Sequence, residues 1–180
     1  MGDEPDYMAG KVRHIIFPAI LAGLTIFIIA TVWDIKLYGI IFACFGSSAF
    51  IVYVNPRSEQ ASVHNILGAY PLAGFFGYAV IEYFLPHLTF EENINLALAG
   101  GFAVGITMLA MLITGFKHAP AGGAALAFVL KVPDVKAVFL LIGGGITLLV
   151  LAKILTFIVK EEYELEEAVK HALIHPKKRG

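Results

Sequence analysis

Long apolar runs parted by short polar breaks dominate this chain: 14–32, 37–54, 63–84, 94–116 and 135–159. Roughly 20 helical residues cross a hydrocarbon core of about 30 Å, so each run reads as a helix of spanning length. With 180 residues, 58% of them hydrophobic and 15% charged, the composition excludes a soluble globular domain. The formal net charge of −1 offers no case for nucleic acid as a partner. The acidic start Met1-Gly2-Asp3-Glu4-Pro5-Asp6 lacks the basic region of a signal peptide, so the first run is expected to remain in the mature protein. Cys44 stands alone and allows no internal disulfide.

One apolar stretch is too short to cross comfortably. Between the runs ending at Phe116 and starting at Val135, residues 117–130 open with His118, Pro120, Gly122 and Gly123, which fits a turn leading into a half-helix. A half-helix that starts at membrane depth directs unpaired backbone N–H groups and the positive end of its dipole at the cavity before it, a natural place for an anion. The run 37–54 is interrupted by Gly46-Ser47-Ser48-Ala49 and ends at Asn55-Pro56, which suggests a second broken helix restarting at Gly46.

Laid together, 46–56 and 123–133 share a small-residue start, an apolar middle and a proline end. Each is flanked by long spans, so the chain divides into halves 13–84 and 93–159, and three crossings per half make the halves inverted. The expected fold is an all-α membrane protein of about six membrane segments, built as two inverted three-segment repeats with half-helices in segments 2 and 5. A re-entrant path for 118–131 is the alternative. With six crossings and a cytoplasmic N-terminus, Lys11, Arg13, Arg57, Lys117, Lys160, Lys170, Lys177, Lys178 and Arg179 fall inside, against Lys36, Lys131 and Lys136 outside. Residues 1–12 then form a cytoplasmic N-terminal segment. Residues 160–180 form a cytoplasmic tail with Leu165, Ala168, Val169, Ala172 and Leu173 on one helical stripe and a basic end.

Three stretches resemble one family. His118-Ala119-Pro120-Ala121-Gly122-Gly123-Ala124-Ala125-Leu126 is similar to the His-Pro-Pro signature of the HPP integral membrane proteins, with Ala119 in place of the first proline. Phe45-Gly46-Ser47-Ser48-Ala49 resembles that family's Phe-Gly-Ala-Ser-Ala. His64-Asn65-Ile66-Leu67-Gly68-Ala69-Tyr70 resembles its Arg-Asn-Val-Ile-Gly-Gly-His, with His64 for arginine and Tyr70 for histidine. The resemblance covers roughly 13–159. It implies a transporter, and because plant plastid relatives carry nitrite it implies a small-anion pathway.

The candidate substrate-binding residues are Gly46, Ser47, Ser48, Asn65, Tyr70, His118, Gly122, Gly123 and Ala124. Gly46 to Ala49 and His118 to Ala124 are expected to face each other across the pathway, with Asn65 and Tyr70 lining it. Apart from Asp34 and Glu82 no carboxylate lies in the apolar spans, which favours an anion or neutral solute over a cation. The expected function is transport of a small inorganic anion, nitrite first, by an integral protein of the cell membrane that works as a homo-oligomer without cofactor or metal. An anion or small-solute channel and a non-transporting structural subunit are the alternatives. An intramembrane serine hydrolase would pair Ser47 or Ser48 with His118 but lacks an evident third group. His171 and His175 share a helix face at metal-ligand spacing without a third ligand.

Overall fold

The computed structural model describes residues 16–33, 35–131 and 134–174, with side chains for all of these except 35–38, 131 and 159–174. The N-terminal segment 1–12, His175 and the basic end 177–179 lie outside the described residues, as do the side chains of the tail stripe. Among the described residues there are six α-helices and no strand: α1 (Phe17–Val32), α2 (Ile35–Val54), α3 (Val63–Ala79), α4 (Glu92–Thr114), α5 (Pro120–Lys131) and α6 (Lys136–Ile174). α3 runs on through a π turn at Val80–Phe84 and a 3-10 turn at Leu85–His87. Lipid supplies no hydrogen-bond partners, so apolar segments of this kind satisfy their backbones internally as helices.

Three stretches are long and apolar enough to cross a membrane: Val63–His87, Glu92–Thr114 and Lys136–Ile158. The other apolar helices are shorter, and α5 is the shortest of all: 12 residues extend about 18 Å at 1.5 Å per residue. That short helix is the hub. It packs against α2, α3 and α4, while α6 closes the other side against α1, α2 and α3.

Small residues let α5 sit so deep. Ala121, Ala124, Ala125 and Ala127 are fully buried with Phe128. A Cβ added at Gly77 of α3 would stand 2.9 Å from the Cβ of Phe128 and 3.0 Å from the carbonyl oxygen of Ala125, so the two backbones meet at a distance only glycine permits. On α6, three successive glycines receive three aromatic rings from different parts of the chain: Gly143 faces Trp33, Gly144 faces Phe45 and Gly145 faces Tyr70. The outer surface is apolar too, with Phe27, Leu112, Ile113, Phe139 and Phe157 exposed, as a lipid-facing surface requires.

The expected break at Gly46 is not there. α2 is one continuous 20-residue helix from Ile35 to Val54. Ser47 returns its hydroxyl to the carbonyl of Ala43 at 3.3 Å, and Ser48 Oγ lies 3.1 Å from the carbonyl oxygen of Cys44; neither interrupts the ladder. Segments 2 and 5 therefore differ in build: one is an unbroken helix, the other a short helix led by an irregular stretch at 115–119.

Candidate functional site

α4 ends at Gly115, whose φ of 81° turns the chain out of the helix in the left-handed conformation glycine tolerates best. Pro120 carries no N–H, and the residues between have backbone groups without helical partners. Their partners come from the loop between α2 and α3. Asn65 accepts the Lys117 N–H at 3.1 Å through its side-chain oxygen and donates from Nδ2 to the Glu59 carbonyl at 2.6 Å. Gln60 accepts the Ala119 N–H at 3.1 Å on its side-chain oxygen. Ser62 caps α3 by accepting the Asn65 N–H at 3.2 Å, which holds Asn65 in place. An exposed Lys117–Glu59 ion pair at 3.1 Å closes this latch from outside.

Beneath the latch lies a buried chain of polar side chains. His118, 1% exposed, donates from Nδ1 to the Gln60 carbonyl at 2.8 Å. A carbonyl only accepts, so in the neutral ring Nε2 carries the lone pair and receives the Ser48 hydroxyl at 2.7 Å. Ser48 in turn stands 2.7 Å from the Tyr70 hydroxyl. Tyr70 is wedged edge-on against both His118 and Phe45, at ring separations of 5.3 and 5.1 Å. Three side chains from α2, α3 and the head of α5 thus form one line, Tyr70 to Ser48 to His118, which ends on the carbonyl of Gln60.

Alongside the contact between α2 and α5 the picture opens out. A groove of about 860 Å³ runs along α2 and the head of α5, lined by Ile40, Ala43, Cys44, Gly46, Ser47, Phe50, Ile51, Ala119, Pro120 and Gly123. Cys44 belongs to both regions: its side chain lines the groove, and its carbonyl oxygen lies 3.1 Å from Ser48 Oγ and 3.3 Å from Tyr70 OH.

The sequence-derived residues are therefore divided between two places. Ser48, Tyr70 and His118 meet in the buried chain, and Gly46, Ser47 and Gly123 meet at the groove. Asn65 is buried in the latch, using its side chain on Glu59 and Lys117. Gly122 faces Val104 and Met108 of α4, and Ala124 is buried in the core. The backbone donors expected to greet an anion at the start of α5 already have partners: the Ala121 N–H bonds to His118 and the Gly122 N–H to Ala119, both at 3.0 Å.

Sequence reading passed over Gln60, which holds the stretch with both its carbonyl and its side chain, and Glu59. Their partners in the 115–119 stretch lie 58 and 59 residues away, a separation no local spacing encodes. His64 stays exposed and tilts against Phe116 at 4.8 Å. Although Ser48 and His118 are at the distance of a nucleophile and its base, Ser48 is fully buried with Tyr70 beside it, and the ring's other nitrogen meets a carbonyl instead of a carboxylate. Among the described residues no group of three His, Cys, Asp or Glu could hold a metal ion.

These features define a helical integral membrane protein built around a short internal helix, with an imidazole and two hydroxyls lined up at that helix's head. The chain belongs to the HPP family, whose description, HPP, transmembrane region, matches residues 8–164. No curated protein and no solved structure matches it.

Proposed function

We propose that the protein moves a small inorganic anion, nitrite first among them, across the cell membrane along the groove between α2 and the head of α5. One observation carries this reading: Gly46 and Ser47 of α2 line a single open groove with Ala119, Pro120 and Gly123 at the start of α5. The lining offers a hydroxyl and a thiol but no carboxylate, so an anion entering it meets no like charge there. Membership of the HPP family supports a membrane function.

The groove is open along its side, with Ser47, Phe50 and Gly123 exposed. Lipid cannot line a path for an ion, since an uncompensated charge in hydrocarbon is strongly disfavoured. A second copy of this chain is the proposed wall, which makes the working form a homo-oligomer. In this reading both termini are cytoplasmic, which the distribution of Lys and Arg along the sequence supports. No cofactor, metal or chemical conversion is part of this reading.

The test is anion flux into liposomes holding the purified full chain, comparing nitrite with nitrate, chloride and formate. Nitrite is expected to move fastest, and Gly123→Leu, which places a branched side chain in the groove, is expected to lower the flux at least tenfold while the protein stays folded. Folded, oligomeric protein that moves none of the four anions refutes the reading.

A further inference from the structure

The buried chain has an unusual property: its partners suffice for two protonation states. In the neutral state the His118 Nδ1–H donates to Gln60, Ser48 donates to Nε2, and Tyr70 donates to Ser48. If Nε2 instead carries a proton, it becomes a donor and Ser48 must accept. Ser48 then sends its own hydrogen to the Cys44 carbonyl oxygen at 3.1 Å, while Tyr70 goes on donating to the second lone pair of Ser48. Every donor keeps an acceptor in either state, and only one hydroxyl hydrogen turns.

We propose that His118 takes up and releases a proton in step with the anion, and that Ser48 and Tyr70 are positioning residues that let the imidazole change charge without moving its ring. The proposal rests on the anion-transport reading above and names the ion that travels with the anion. The proton adds to the Nε2 lone pair that Ser48 vacates, and it leaves by the reverse exchange. No bond other than N–H and no electron is involved.

The surroundings explain why the two ions would be linked. Among the described residues, the charged or titratable groups near His118 have partners of their own. Lys117 and Glu59 are each other's counter-ions at 3.1 Å and exposed; Tyr70 hydrogen-bonds Ser48 in the buried chain and Cys44 lines the groove; the His64 ring tilts against Phe116 instead. An imidazolium there sits at the positive end of α5, and among the described residues no free carboxylate balances it. The neighbouring residues Ala119 and Pro120 line the groove. An anion in the groove supplies the missing counter-charge, so anion occupancy and protonation favour one another, and linkage makes that help reciprocal.

Two measurements test this on the full chain. The first is nitrite uptake by liposomes with and without an acid-outside pH gradient, after subtraction of protein-free vesicles to remove permeation of nitrous acid. The gradient is expected to raise the wild-type rate severalfold. His118→Gln is expected to move nitrite without responding to the gradient. A wild-type rate indifferent to the gradient overturns the proposal while leaving anion transport standing, and so does a gradient response that survives in His118→Gln.

The second needs no flux and no His118 variant. Nitrogen-15 NMR in nanodiscs, on a chain whose other histidines are replaced by Gln, follows the His118 titration with and without sodium nitrite. The midpoint is expected to rise by about half a pH unit or more with the anion. A midpoint unmoved by nitrite refutes the proposal whatever the flux shows. A shifted midpoint in a protein that moves no anion upholds the proton–anion linkage and refutes the transport reading.

Discussion

Ser47 and Ser48 are neighbours of identical chemistry with opposite fates, because successive residues of a helix point about 100° apart. Ser48 is fully buried, and the one hydrogen it owns serves His118. Ser48→Ala leaves the imidazole Nε2 without a donor in a place water does not reach, which is expected to cost about 1–3 kcal/mol. Ser47→Ala removes only an exposed back-bond to Ala43 and is expected to leave stability within about 0.5 kcal/mol of the wild type. Thermal unfolding of the two variants in one detergent separates them. Asn65→Ala cuts both the Glu59 and Lys117 bonds and is expected to destabilise by about 1–3 kcal/mol. The motif at 46–49 and the histidine at 118 were both legible from residue type and position. Which of the two serines faces inward was not, since that depends on how α2 is rotated against α3 and α5.

The interrupted look of α2 came from Gly46 and two serines, residues that break helices in water by offering the backbone other partners. In lipid there are no such partners, so the ladder continues through them. Hydrogen exchange is expected to show the amides of 46–49 as protected as the rest of α2, with residues 115–117 exchanging faster. Equal rates in the two stretches contradict this picture. α6 depends on space, not on continuity. A Cβ at Gly144 would clash with the edge of the Phe45 ring, so Gly144→Ala is expected to lower stability by about 1–3 kcal/mol. Phe45→Leu, placed in the same chain, is expected to restore part of that loss, and a double-mutant melt measures the coupling. The role of the glycine triplet was not legible in the sequence, because its three aromatic partners each arrive from a different helix or turn.

At the scale of the whole molecule, helical membrane architecture followed from the lengths of the apolar runs, and the HPP family from three short stretches. The latch between 59–62 and 117–119 did not, because it joins parts of the chain that share no period or spacing. If a second copy walls the groove, Ser47→Cys in a Cys44→Ala chain is expected to cross-link copies with a short bifunctional thiol reagent, and native mass spectrometry of the unlinked protein is expected to show more than one chain. Monomers by both measures refute the proposed wall. The shortness of α5 also bears on how the protein is made. Twelve residues fall short of the roughly 17–25 that a membrane-inserting machinery recognises by hydrophobic length. Yet the helices that wrap α5, namely α2, α3 and α4, all precede it in the chain. During synthesis the helices of its receptacle are therefore made before α5, so the helix is expected to enter the bilayer by docking onto neighbours already made, not by partitioning into lipid alone.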